Sequence, residues 1–177
     1  MLIAGRASGM TVGLIVGLIL AVILLKFGNT NRKFKTEYDE RQREVRGMAY
    51  TYGFYATVIY EVAMFLLSVA EIELPVENYI LHFGAIAVGC TVLCVYSIWK
   101  GAYWGLNNDH RRYKAIIAVC IVLNMLPLIG LLRGESLMEN GKIGMPMLNI
   151  MVLIMLAAAG VTYLIRQAVD RKETEEE

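Results

Sequence analysis

Charge is scarce in this chain. Asp, Glu, Lys and Arg make up 19% of 177 residues, apolar and aromatic side chains make up 57%, and the mean hydropathy is +0.52. A soluble globule of this size does not have that balance. Histidine occurs twice and cysteine three times, with no CxxC pair, which leaves no donor set for a structural zinc site or a disulfide framework. There is no phosphate loop, no HExxH, no GxSxG and no glycine fingerprint for a dinucleotide. No catalytic residue, metal site or cofactor is assigned on these grounds, and an enzyme is the weaker class. A net charge of +1 gives no reason to expect nucleic acid as a partner.

What the chain has instead is long apolar runs. Five of them approach bilayer length, at about 8–25, 48–69, 79–99, 113–132 and 145–165, each bounded by charge or turn residues. The expected fold is all-α: a polytopic membrane protein of five transmembrane helices in one membrane domain. Between the first two spans lies a basic stretch, 26–47, read as a cytoplasmic loop with a juxtamembrane helix, and 166–177 reads as a charged cytoplasmic tail. With the N-terminus outside and the C-terminus in the cytoplasm, 14 of the 17 Lys and Arg fall inside, and only Arg6, Arg133 and Lys142 fall outside. Tyr50, Tyr52, Tyr55, Trp99, Tyr103, Trp104 and Tyr113 gather near the cytoplasmic ends, where amphipathic rings prefer to sit. The first run is read as a retained anchor rather than a signal peptide, because no small-x-small cleavage pattern follows it.

In the first span Gly5, Gly9, Gly13 and Gly17 recur every fourth residue, so one helix face has no side chains and another backbone can approach it. This groove suits packing within the chain, a homo-oligomer or another membrane protein. The remaining four spans are expected to form a four-helix bundle, with the first helix peripheral or oligomerising. Before the second span, Thr36 and Asp39 stand in capping-box spacing. Glu37 with Arg41 and Asp39 with Arg43 are favourable i,i+4 pairs. Asp39, Glu40, Arg41, Arg43 and Arg46 therefore form a candidate cytoplasmic docking surface.

The run Tyr38-Asp-Glu-Arg-Gln42, followed by Arg46-Gly-Met-Ala-Tyr50 and an aromatic entry into the membrane, resembles the juxtamembrane signature of small multi-spanning prokaryotic membrane proteins of unknown function. The resemblance covers about 20 residues. It implies a multi-pass protein of a prokaryotic cytoplasmic membrane and transfers no activity.

Polar groups inside the spans are expensive in hydrocarbon, so each is a candidate for function. Glu61 is the one acidic residue deep in a span. Counting back from the outer helix ends places Asn124 at the depth of Glu61, and His82 with Asn149 nearer the surface. Thr57 shares the small or polar face of Tyr50, Gly53, Glu61 and Ser68 on the second span. Glu61, Asn124, His82, Asn149 and Thr57 are thus expected to form an intramembrane cluster able to take a proton or a small polar ligand. Depth matching of Glu61 with Asn124, and of His82 with Asn149, suggests two related hairpins. Pro127 frees the carbonyl of Leu123 beside Asn124. The cysteines and the ten methionines read as packing residues. Two functions follow: a non-enzymatic subunit, sensor or regulator working through helix and loop contacts, or a small oligomeric transporter or channel with a protonatable Glu61.

Overall fold

A computed structural model describes residues 2–134, 136–139 and 141–175, with side-chain surroundings for residue 12 and for 15–134, 136–138 and 141–172. Each of the five apolar runs is a helix: α1 (Leu2–Gly28), α2 (Glu40–Val69), α3 (Asn78–Trp99), α4 (His110–Leu132) and α5 (Pro146–Glu175). Two-residue strands, β1 (Met138–Glu139) and β2 (Lys142–Ile143), form a small antiparallel hairpin before α5. The fold is all-α apart from that hairpin. The helices α2, α3, α4 and α5 are long and apolar enough to cross a membrane, and the described apolar part of α1, Ile15–Gly28, is shorter. The chain divides into two compact units, one of 1–37 with 105–118, the other of 38–104 with 119–177.

The smaller unit is held by asparagines. Asn29 is fully buried and Asn107 is 7% exposed, positions where an amide must find partners. They do. Asn29 donates from Nδ2 to the Lys33 carbonyl at 2.8 Å, and its Oδ1 accepts from Asn108 Nδ2 at 2.7 Å. Asn107 donates from Nδ2 to Asn31 Oδ1 and to the Lys35 carbonyl, while its Oδ1 accepts from the Glu37 amide at 2.8 Å. Thr30 donates its amide and its hydroxyl to the Asn107 carbonyl. Asp109 then starts α4, its carboxylate accepting from the Arg111 and Arg112 amides and pairing with the Arg112 guanidinium at 3.1 Å. The end of α1 is thereby clasped to the segment that opens α4.

In the larger unit α3 is central. It runs antiparallel to α2, with Gly53 opposite Gly89 and Thr57 opposite Ala85, and Gly84 meets both Tyr60 and Met151 of α5. Small residues make this possible. A Cβ on Gly53 would lie 2.8 Å from the Gly89 carbonyl oxygen, and one on Gly89 would lie 2.9 Å from the Gly53 carbonyl oxygen, so the two backbones are in direct contact. The buried apolar residues nearby, Val45, Ala49, Ile80, Ala85 and Ile98, continue that seam.

Close packing among the expected four-helix bundle is carried by α2, α3 and α5. The remaining helix, α4, shares with α5 the absence of any buried residue among those described but, unlike α5, makes no extensive contact with another helix. The reason lies in its side chains: residues 119–132 are mostly Val, Leu, Ile and Met, and lack the Gly, Ala and Thr series that lets α3 approach its neighbours.

Three local features go beyond the sequence pattern. The capping box opens one turn later than Thr36. Asp39 is the N-cap, accepting from the Gln42 amide at 2.6 Å, while Gln42 Oε1 accepts from the Asp39 amide. The helix cannot begin earlier because the Glu37 amide and carbonyl are already bonded to Asn107 and to Leu106. At the other end of the chain the charged tail does not leave the helix at Arg166, since α5 continues to Glu175. Between α2 and α3, the connection is tied to β2 by bonds from the Glu77 amide to the Ile143 carbonyl and from the Ile143 amide to the Pro75 carbonyl.

Candidate functional site

The antiparallel register that sets Thr57 against Ala85 continues one turn further to set Glu61 against His82. His82 Nδ1 lies 3.1 Å from Glu61 Oε1. Glu61 is therefore partnered across the α2–α3 seam by His82, where counting from helix ends had matched it with Asn124. End counting fails here because the two helices pack with a stagger that depth alone does not contain. Thr57 sits one turn below and bridges the same seam, its Oγ1 3.0 Å from the Gly53 carbonyl and 3.3 Å from that of Ala85.

Asn124 is half-buried and spends its amide on its own helix, donating to the Cys120 carbonyl at 2.8 Å. Asn149 is half-buried near the start of α5. Neither makes a described bond to Glu61 or His82; of the five residues, Glu61, His82 and Thr57 are the ones with described bonds across the α2–α3 seam.

The pair is not enclosed. The chain leaves 70% of the His82 side chain and 40% of that of Glu61 uncovered. At this distance a carboxyl and an imidazole form a hydrogen bond whose donor and acceptor depend on the tautomer of the ring and on which group carries the proton. The arrangement can accept or release a proton at a helix seam. Among the described residues no group of three His, Cys, Asp or Glu is placed to hold a metal ion.

The helix-one glycines fall largely beyond what is described. Helix α1 runs through Gly5, Gly9, Gly13 and Gly17, but the surroundings of the first three lie outside the described residues. At Gly17 an added Cβ would meet nothing within 4 Å, so that point of the groove is open.

The expected docking surface is partly spent on local structure. Asp39 caps α2, and Arg41 donates from Nη1 to the Lys100 carbonyl at 3.3 Å. Arg46 lies over the Tyr38 ring at 4.3 Å and donates to the Tyr50 hydroxyl at 2.9 Å. The expected pairs of Glu37 with Arg41 and Asp39 with Arg43 are not among the described ion pairs. The side chains of the exposed Glu40 and Arg43 are committed to no described bond.

Two features escaped the sequence reading. The asparagine clasp could have been suspected from the paired Asn29, Asn31 and Asn107, Asn108, which look like ordinary turn residues until their partners are seen. A basic and aromatic cavity where the ends of α3 and α5 meet the start of α2 has no local motif at all, because its lining comes from three separate segments. Comparison of the chain with protein-family models, with curated proteins and with solved structures finds no match.

Proposed function

We propose that this is a multi-pass protein of a prokaryotic cytoplasmic membrane, with its N-terminus outside, that serves as a non-enzymatic subunit, sensor or regulator. The bilayer is its first partner, and a second copy or another membrane protein is its second. One observation carries the reading: α4, although long and apolar enough to cross a membrane, has no buried residue and no extensive packing against another helix. The described part of α1 supports it, because nearly every side chain from Ile15 to Phe27 is exposed and Gly17 presents open backbone. A glycine face such as that of α1 associates through van der Waals packing against a partner. The Tyr38 to Gln42 signature, read as that of small prokaryotic membrane proteins, agrees with the setting.

The test is association in membranes. Replacing Gly9, Gly13 and Gly17 by Leu should weaken self-association or partner capture by about tenfold, the effect of losing on the order of 1.4 kcal/mol at a helix contact. A strict monomer whose cross-linking pattern in cells is the same with and without these changes defeats the reading.

The Glu61 and His82 pair favours a second one, an oligomeric transporter or channel moving protons or a small polar ligand. Proteoliposome flux that falls in both Glu61→Gln and His82→Gln supports it. Equal flux in the two variants and the parent removes the pair from any transport role.

A further inference from the structure

Where α3 ends, the chain turns through Lys100 and Gly101, and the turn forms one wall of a cavity of about 280 Å³. Gly101 has φ +66°, and the Arg41 guanidinium lies against it, Nη2 being 3.7 Å from where a Cβ would stand. Arg41 and Lys100 supply positive charge from that side, and Arg166 of α5 supplies it from the opposite one. Asp170 is the one carboxylate in the lining, 2.7 Å from Arg166 Nη2. Three cations face one anion. Each arginine has five N–H donors and uses one in the described bonds, so both can still present a fork to an incoming group.

The rest of the lining is aromatic. Tyr103, Trp104 and Tyr163 place rings beside the cations, just past the last residue of α3 and at the end of the apolar part of α5. Amphipathic rings with arginines at the end of membrane helices mark the headgroup level. The volume lies near the lower end of small-ligand sites, about 300–1,000 Å³. Guanidinium forks match phosphate oxygens in pairs, and an apolar rim beside them accommodates the start of an acyl chain. From this geometry we infer that the cavity binds the phosphate of an anionic phospholipid in the leaflet at the Lys100 end of α3. This site is separate from the Glu61 and His82 pair, and it does not depend on whether α1 or α4 meets a partner.

The chain has two tryptophans, Trp99 and Trp104, so Trp99→Phe leaves Trp104 in the cavity wall as the single tryptophan, excited selectively over the tyrosines. The full-length protein with this change is reconstituted in phosphatidylcholine vesicles containing a minor fraction of phosphatidylglycerol with brominated chains. Quenching of Trp104 should exceed that given by the same fraction of brominated phosphatidylcholine. In Arg41→Gln with Arg166→Gln the selectivity should drop on the order of tenfold, given what each basic residue contributes near an anionic surface. Arg43→Gln removes an exposed charge from the same helix outside the cavity and should keep the selectivity; helical circular dichroism checks that each variant is folded.

Equal quenching by the two brominated lipids overturns the inference. So does selectivity that survives loss of both arginines, or that falls equally in Arg43→Gln. A shift of Trp104 emission on adding glycerol phosphate to pure phosphatidylcholine vesicles, lost with the two arginines, assigns the cavity to a soluble phosphate ester and overturns the lipid as its occupant.

Discussion

Glu71 and Gly101 occupy equivalent positions at the ends of two helices, yet only one has the residue that the backbone favours. After α3 the Ala102 amide bonds the Ser97 carbonyl and the Gly101 amide bonds that of Ile98; after α2 the Ile72 amide bonds the Leu67 carbonyl and the Glu71 amide bonds that of Ser68. Both are Schellman closures with a left-handed residue at the turn, φ +66° at Gly101 and +57° at Glu71. A left-handed conformation costs an L residue about 1–2 kcal/mol. Glu71→Gly should therefore stabilise the protein by about 0.5–1 kcal/mol, after allowing for the greater freedom of unfolded glycine, and Gly101→Ala should destabilise it by about 1 kcal/mol. Denaturant midpoints in a fixed detergent check both signs. Nothing in the acidic run Glu71 to Glu77 marked the first residue as left-handed, because that conformation is set by how α2 closes rather than by its own preference.

Helices were the most legible feature. All five apolar runs are helical, and four of these helices are long and apolar enough to cross a membrane, where a segment must satisfy its own backbone bonds; this constraint acts on length and composition alone. Partnership between helices was much less so. The expectation of a glycine seam fell on α1, whereas the seam that is seen lies between Gly53 of α2 and Gly89 of α3, two glycines that form no four-residue series. Gly53→Val should force the backbones apart and cost about 1–3 kcal/mol, as overfilling a packed site does. Gly47, on the same helix with nothing within 4 Å of a Cβ, is the control: Gly47→Ala should be neutral or stabilising by up to about 1 kcal/mol. Thermal unfolding of the two variants side by side separates packing from helix propensity. The candidate site was half legible for the same reason. The residue types were visible, but pairing Glu61 with His82 needed the interhelical register.

For the whole molecule the basic asymmetry makes a claim about sidedness. A cysteine introduced at Ser136, between α4 and α5, should react with an impermeant maleimide in intact cells, and one introduced at Lys172 should react only after the membrane is opened; the reverse pattern would invert the topology. The asparagine clasp adds a constraint of another kind, one of time. Its long-range bonds join residues 70 to 84 positions apart, from Glu37 with Asn107 to Asn29 with Tyr113. The contacts of the α2–α3 hairpin are nearer in sequence, Thr57 to Ala85 being 28 apart and Glu61 to His82 being 21. At about 5–20 residues per second, the chain emerging from a ribosome reaches the second half of the clasp roughly 4–16 s after the first. Throughout that interval the Asn29 amide has none of its long-range partners, so the first helix is only loosely held while the hairpin behind it is already able to close.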